Sequence, residues 1–508
     1  MFTKQHCDVV VVGAGLGGLV TGAILAAKEG MKVIVLEKAP AIGGRIVSFG
    51  KQHGSDYSAS EVREILGACL LSTIVKSEPD FGQIIGKGVL KDFIIDGGWH
   101  GTAAGDRSRF AWIARALGKR ISFCNGTGFA YFKDGRWLQL PEVTKDWPPE
   151  SVRERSRVAY ERQLLTPEQA SKYDHVDLAS YLESVTDDKL VQDYYLDMAR
   201  WMLGFNTPSR ISAGEWINTN NGVTAAGRHL IGGGGIGEVT GGFKTAADVF
   251  ASLIQENGGN VQTHSPVTEV IIKNWKAQGV VVQGKRGNEE IKASNVVCNP
   301  PPYHLAGIIP DNYFVGDLMQ RTKDMYAVGG VVGNICLSAP LETDYPAGQF
   351  VASVIPGAEN MDIPGGPPAF GMEQTSVVDP SRAPDGKYLI QISDIADPEA
   401  FRDPDHLQQQ ADAMIRFLRN HYPQFDDILE WYYIQVCPIG YALAPTPGIC
   451  GDRRFPIRHP LIPNLFFTGD CVQQWDTGTS GTTHGAVLCA SAVSGRHDYL
   501  NLLPSYWR

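Results

Sequence analysis

The stretch Asp8-Val-Val-Val-Val-Gly13-Ala-Gly15-Leu-Gly17-Gly18 decides the fold, together with the small-residue run 19–27 and the apolar run 32–36 that ends in Glu37. A short β-branched run ending in glycine reads as a buried parallel strand, and small residues after the glycines read as a helix. A second apolar run then completes a β-α-β unit. Each glycine has a physical task. Gly13 permits the tight turn, Gly15 lets the backbone approach a pyrophosphate, and Gly18 lets helix and strand pack closely. The helix N-terminus attracts the anion, and Glu37 is placed to accept hydrogen bonds from ribose hydroxyls. Gly17 and Lys38 complete the set of nucleotide-end candidates.

Working outward, three further segments bear on which dinucleotide is held. Ala41-Ile-Gly43-Gly44-Arg45 offers glycines that admit a cofactor backbone and an arginine able to pair with a phosphate. Gly241-Gly242-Phe243 opens a helix, after which residues 257–261, 267–272 and 279–282 read as a strand and a hairpin. Asn295-Val-Val-Cys-Asn299 closes that unit with another buried strand. Asn464-Leu-Phe-Phe-Thr-Gly469-Asp470 is an apolar strand ending in an acid, followed by a glycine-rich turn and a helix over 483–494.

Composition sets the boundaries of the reading. The chain has 508 residues, enough for two domains. Its net charge of −10 and lack of a Lys/Arg stripe argue against nucleic acid as a partner. Nine cysteines lie scattered without metal-ligand spacing, which fits reduced thiols in a cytoplasmic enzyme and predicts no metal site. The N-terminus runs into a strand without a leader pattern, and no apolar run reaches the ~18 residues a bilayer span needs. Peripheral membrane contact stays open.

With these motifs in view, the chain resembles the phytoene desaturase, carotenoid isomerase and retinol saturase branch of the FAD-dependent amine oxidase superfamily. The resemblance lies in three blocks at the start, middle and end. It implies an α/β fold, with a Rossmann-type FAD-binding domain over 1–105, 240–300 and 431–508. An inserted α+β substrate domain would occupy 106–239 and 301–430. It also implies backbone bonds from Val267 to adenine and a place for Asp470 at the ribityl–phosphate part of FAD. The closing helix, with Thr482 and Thr483, would aim at the flavin pyrimidine.

The resemblance also directs the chemistry. Amine oxidases carry an aromatic pair before the flavin, one member in a "GYMEGA"-like run. Here Gly481-Thr482-Thr483-His484-Gly485-Ala486 has threonine in place of that tyrosine. No cysteine stands where some of them attach flavin, so FAD is expected to be non-covalent. Phe93-Ile-Ile-Asp96-Gly97-Gly98-Trp99-His100 is similar to the "FDxGxH" strand of the desaturase and saturase branch, and 485–493 to the saturase ending. Gly44-Arg45 and Asp96 stand farther apart than in that branch, which implies an insertion within 51–88.

The resulting expectation is hydride transfer to flavin N5 from a carbon–carbon bond of an apolar alicyclic, terpenoid or polyene substrate, or the reverse saturation. Electrons would pass to oxygen, a quinone or an electron-transfer protein. Flavin-dependent double-bond isomerisation, amine oxidation and a non-catalytic FAD-binding escort role are the alternatives. His100 and His484 are the candidate proton handlers. Trp475 is a candidate roof over the flavin, and Asp476 a turn residue. Residues 232–235 form a glycine loop that either turns tightly or packs against a ligand. The runs 193–205 and 406–421 have helical apolar spacing, and 141–162 reads as partly helical and solvated.

Overall fold

In the computed structural model the opening valines form the strand His6–Val12, whose side chains alternate between two buried faces. Val9 and Val11 enter one apolar layer, Val10 and Val12 the other. The structure describes residues 6–125, 130–133, 136–205, 207–227, 236–284, 287–342, 351–352 and 370–507. Residues 232–235 of the glycine loop lie outside these.

The strand His6–Val12 pairs in parallel with Val33–Leu36 on one side and Gly287–Cys298 on the other. Asn260–Gln262 extends the parallel sheet beyond Val33–Leu36. The long strand Gly287–Cys298 divides its free edge. Its first half pairs antiparallel with Lys276–Gly284, which continues to Val267–Lys273, and its last residues pair in parallel with Leu465–Phe467. One face of this sheet is covered by the helices Leu16–Glu29, Lys244–Glu256 and Gly478–Ser494. Parallel strands buried on both faces require such continuous apolar runs. The Rossmann-type unit is therefore present, assembled from the start, middle and end of the chain.

A second sheet is wholly antiparallel, in the order Val351–Ala352, Phe370–Glu373, Tyr388–Ala396, Val328–Leu337, Leu429–Tyr441 and Thr73–Glu78. The helix Pro404–His421 packs on one face through Val331, Ile335, Ile390 and Ile434. The opposite face meets Val62, Leu66, Phe81 and Phe93. The segment read as an insertion thus supplies both an edge strand and a cover for this sheet. Thr73–Glu78 falls inside 1–105, and Leu429–Tyr441 largely inside 431–508, yet both belong to the second sheet. Strand pairing across hundreds of residues leaves no local mark in sequence. A separate helical layer, with Pro149–Leu164, Leu178–Val185, Lys189–Leu203 and Ala213–Gly227, buries Trp216, Tyr195 and Leu182.

Candidate FAD site

The glycine turn is shaped by the side chains it lacks. Gly13 has φ of +94°, a left-handed conformation that favours glycine. A Cβ at Gly15 would stand 2.7 Å from Asn299 Nδ2, one at Gly17 2.9 Å from the Cα of Gly469, and one at Gly18 2.3 Å from the Gly13 carbonyl. Gly43 donates its N–H to the Ala14 carbonyl at 2.9 Å, bringing the second glycine pair beside the first. The helix Leu16–Glu29 has Gly15 as its N-cap, and Gly478–Ser494 has Thr477; neither cap residue supplies a side-chain bond to the helix. Both N-termini keep amide donors available, the arrangement that suits a phosphate anion. Thr21 Oγ1 lies 2.9 Å from Thr468 Oγ1 and 3.3 Å from the Ala486 carbonyl it donates to, tying the two helices together.

Glu37 is buried and accepts from the N–H of Ala14 at 2.8 Å and of Ala39 at 2.9 Å. Burial pushes its carboxyl up, against the pull of these two donors. Each oxygen retains one further acceptor position, so ribose contact adds to a carboxylate that already locks the turn. Lys38 beside it is exposed. The next segment turns back along this corner, with Ser265 N–H donating to the Glu37 carbonyl and a bulge between Val267 and Glu269.

Arg45 does not stand free for a phosphate. Its guanidinium forms a two-pronged bond with Asp470, both N–O distances being 3.0 Å. Burial raises the Asp470 carboxyl, but the Arg45 charge, the Arg45 hydrogen bonds and backbone N–H donors together outweigh it and hold the group below the usual range. The Gly43-Gly44-Arg45 turn and the Gly469-Asp470 turn are therefore one unit. Two neighbours escaped the sequence reading. Asn299 touches the positions of Gly15, Gly17 and Gly469 at once; its place one residue beyond a buried strand was its only signal. Tyr441 packs against Gly204 and Gly478, where added Cβ atoms would approach its ring to 2.2 and 3.0 Å.

The two histidines part company. His100 lies against the glycine turn, its Nε2 2.9 Å from the Arg45 carbonyl and its ring stacked on Phe243 at 4.9 Å. A carbonyl only accepts, so Nε2 carries the proton and Nδ1 is the basic nitrogen. Among the described residues no donor reaches Nδ1, and the Gly98 backbone lies beside the ring. Burial lowers this histidine's affinity for a second proton, with nearby Asp96 opposing.

His484 sits elsewhere. The closing helix begins at Gly478, five residues before the expected start, because Gly481 and Gly485 pack against the backbone of Asp476 and Gly469. The exposed amides are therefore those following Thr477, and buried Thr482 and Thr483 belong to the second turn. At about 100° per residue, His484 points well away from Thr482. Burial, the Arg109 charge and the Arg454 charge together push it down to about 3. A group so weakly basic is a poor proton acceptor near neutral pH.

Trp475 lies in a cleft of its own. Its indole N–H points to Asp174 Oδ2 at 3.4 Å, in a cleft of about 370 Å³ lined by Ser171, Asp174, Cys450 and Arg453. Neither the glycine turns nor His100 line that cleft. Asp476 is a turn residue with φ of +93°, and its carboxylate takes Arg109 Nη1 at 2.6 Å. Among the described residues, no group of three His, Cys, Asp or Glu side chains is placed to hold a metal, and no helix is long and apolar enough to cross a membrane.

The family model for flavin-containing amine oxidoreductases matches residues 114–494, and a Rossmann-like NAD(P)-binding model matches 11–63. The chain belongs to the flavin-containing amine oxidoreductase family. It is an FAD-dependent oxidoreductase, and the uncapped helix ends and glycine cradle fit the cofactor. The chain is 22% identical to an inactive all-trans-retinol 13,14-reductase of Danio rerio, over 98% of this chain and 87% of that one. In fold it is similar to an oxidoreductase from Methanosarcina mazei, with a TM-score of 0.68 at 17% identity, covering 94% and 98% of the two chains. It is likewise similar to putrescine oxidase bound to putrescine, with a TM-score of 0.62 at 15% identity, covering 97% and 100%. At such identity the structural likeness speaks for the fold alone.

Proposed function

We propose that this enzyme removes hydrogen from, or adds it to, a carbon–carbon bond of an apolar alicyclic, terpenoid or polyene substrate. FAD, held non-covalently, supplies the hydride acceptor. The observation that carries the reading is His100 at the glycine turn, its Nε2 held by the Arg45 carbonyl and its Nδ1 reached by no donor among the described residues, in a chain with Thr482 in place of the amine-cage tyrosine. The similarity over 98% of this chain to a protein named as an inactive all-trans-retinol 13,14-reductase supports the polyene class.

In this reading Leu16, Gly17 and Gly18 bind the pyrophosphate through their backbone amides, and Glu37 holds the ribose. Val267 contributes backbone contacts to adenine. The Arg45–Asp470 pair borders the ribityl–phosphate portion. His100 accepts or returns the proton that accompanies hydride transfer, with Phe243 fixing its ring. Tyr441 at the mouth of the closing helix shapes the substrate side. Reoxidation by oxygen, a quinone or an electron-transfer protein completes the cycle, and nine cysteines without a disulfide suit a reducing cytoplasm.

The test is anaerobic mixing of the holoenzyme with terpenoids, alicyclic ketones, fatty acids and amines. Lasting bleaching of the flavin by an apolar alkene or alkane precursor is expected. Product formation by prereduced enzyme without net bleaching would establish isomerisation instead, and bleaching by amines alone would overturn the reading.

A further inference from the structure

The strand leading to His100 is held from behind by a buried knot of charge. Arg382 is 0% exposed. Its Nη1 donates to Asp96 Oδ2 at 2.8 Å and its Nη2 to Glu238 Oε2 at 3.0 Å, while Nε lies 3.4 Å from Asp379 Oδ2. A fourth acid, Glu373, is equally enclosed and lies in hydrogen-bonding contact with Glu238. The acids come from separate segments: Ile95–Asp96, Ile236–Val239, Phe370–Glu373 and the turn before Pro380–Arg382.

Their partners are unequal. Asp96 Oδ1 accepts from Ser48 Oγ and from the Phe243 N–H at 3.1 Å. Asp379 accepts from the Gly241 N–H at 2.7 Å and from Ser381 Oγ at 2.7 Å. Glu238 has one prong of Arg382. Among the described residues, no N–H or O–H other than a proton on the Glu238–Glu373 pair itself reaches either oxygen of Glu373. One guanidinium does not balance four buried carboxylates, and two carboxyl groups touch without a bridging cation only when one of them donates a proton to the other. Burial, then the Glu238 charge, drive Glu373 well above the usual range. Burial takes Glu238 up to about 7 against the pull of Arg382.

We propose that Glu238 and Glu373 hold a single proton between them in the folded enzyme, and that this proton lets Arg382 fix Asp96 and so position His100. The positioning route is short. Asp96 Oδ1 holds the backbone of Phe243, whose ring stacks on His100. Gln391 Nε2 points to the Asp96 carbonyl at 3.4 Å, and Gln435 Nε2 donates to that of Gly97. When the pair gives its proton to solvent hydroxide, no electron moves. The new charge competes with Asp96 for Arg382. Among the described residues the other groups facing the knot are Cys124, on Phe123–Asn125, and Tyr433, on Leu429–Tyr441; burial keeps both protonated. His100 faces it from beyond Asp96.

Glu238 and Glu373 are positioning residues, and the test is an infrared pH titration of the FAD-loaded enzyme beside Glu373→Gln and Glu238→Gln. The wild type should keep a protonated-carboxyl C=O band through neutral pH, well above the ordinary Glu value of about 4.3, and each variant should lack it. A raised folded-state pKa confers stability that is present at low pH and lost as pH rises through that value. The wild-type melting temperature should therefore fall relative to Glu373→Gln, whose amide stays neutral, as pH rises from about 4.3, where the unfolded carboxyl ionises, through about pH 7. Absence of the band, or a wild-type–variant difference in melting that stays constant over that window, overturns the shared proton. If Glu373→Gln fails to fold, Glu238→Gln carries both measurements.

The link to His100 rests on the proposed role of that histidine, whereas the shared proton does not. A band that titrates while the alkaline limb of the kcat/KM profile is the same in wild type and variant overturns the positioning half alone.

Discussion

The glycine cradle and the Arg382 knot flank the same histidine and are built on opposite principles. The cradle works by omission: Gly15, Gly17 and Gly18 leave space at 2.3–2.9 Å from backbone and Asn299, where any Cβ would intrude. The knot works by accumulation, with four acids around one enclosed guanidinium. Omission is a local device that ten consecutive residues can encode. Accumulation needs segments spread from Asp96 to Arg382 to arrive together, so it exists only in the finished fold. The two regions should therefore fail differently when perturbed.

The largest expected effect is on the knot. Arg382→Ala leaves three carboxylates buried without their cation and should lower stability by about 3–5 kcal/mol, the usual cost of breaking a buried ion pair. Denaturant unfolding measures it. Should the loss be under ~1 kcal/mol, the knot is not the closed charge system drawn here.

Next comes the cradle. Gly18→Val places carbon atoms against the Gly13 carbonyl and Val11. Overpacking costs about 1–3 kcal/mol of stability, and FAD content should fall by more than roughly tenfold because the turn must open. The flavin-to-protein absorbance ratio reads this directly. A variant that folds and still carries a full complement of FAD would contradict the cradle.

The contrast explains what could be read in advance. The β-α-β unit, Glu37 and both turn arginine and acid positions were legible because their constraints lie within a few residues of one another. That Arg45 and Asp470 would choose each other was not, since either alone suits a phosphate. Asn299 was invisible for the same reason: its contacts, Gly15 and Gly469, are remote in sequence. The early start of the closing helix was hidden in Gly478-Thr479-Ser480-Gly481, residues of weak helix preference that fold because Gly481 must meet Asp476. That shift in turn changed where His484 points.

Asp470→Ala joins the two regions at intermediate strength. It removes the partner of Arg45 and an acceptor for the Ala442 N–H. Losing bonds to a charged group costs about 1.5–3 kcal/mol, so FAD affinity should weaken by roughly 10- to 100-fold. Titration of the apoprotein with FAD checks it, and an unchanged Kd would show that the pair merely closes the turn.

The histidines give the finest division. His100→Gln should lower kcat by about 10²- to 10⁴-fold, the range for a lost proton handler, with little change in KM. His484→Gln should leave kcat and its pH profile nearly intact and change only stability. The sign follows from its depressed folded-state value of about 3, against 6.5 for an ordinary solvated histidine. The unfolded chain takes up a proton first as pH falls below 6.5, so the wild type loses stability toward acid and the variant loses less. This loss toward acid runs opposite in sign to the loss with rising pH expected from Glu238 and Glu373. Melting temperatures of wild type and His484→Gln at pH values from about 7 down to 4 separate the outcomes. If the gap between them stays flat while kcat collapses, the closing helix presents His484 to the flavin after all, and the roles assigned to the two histidines exchange.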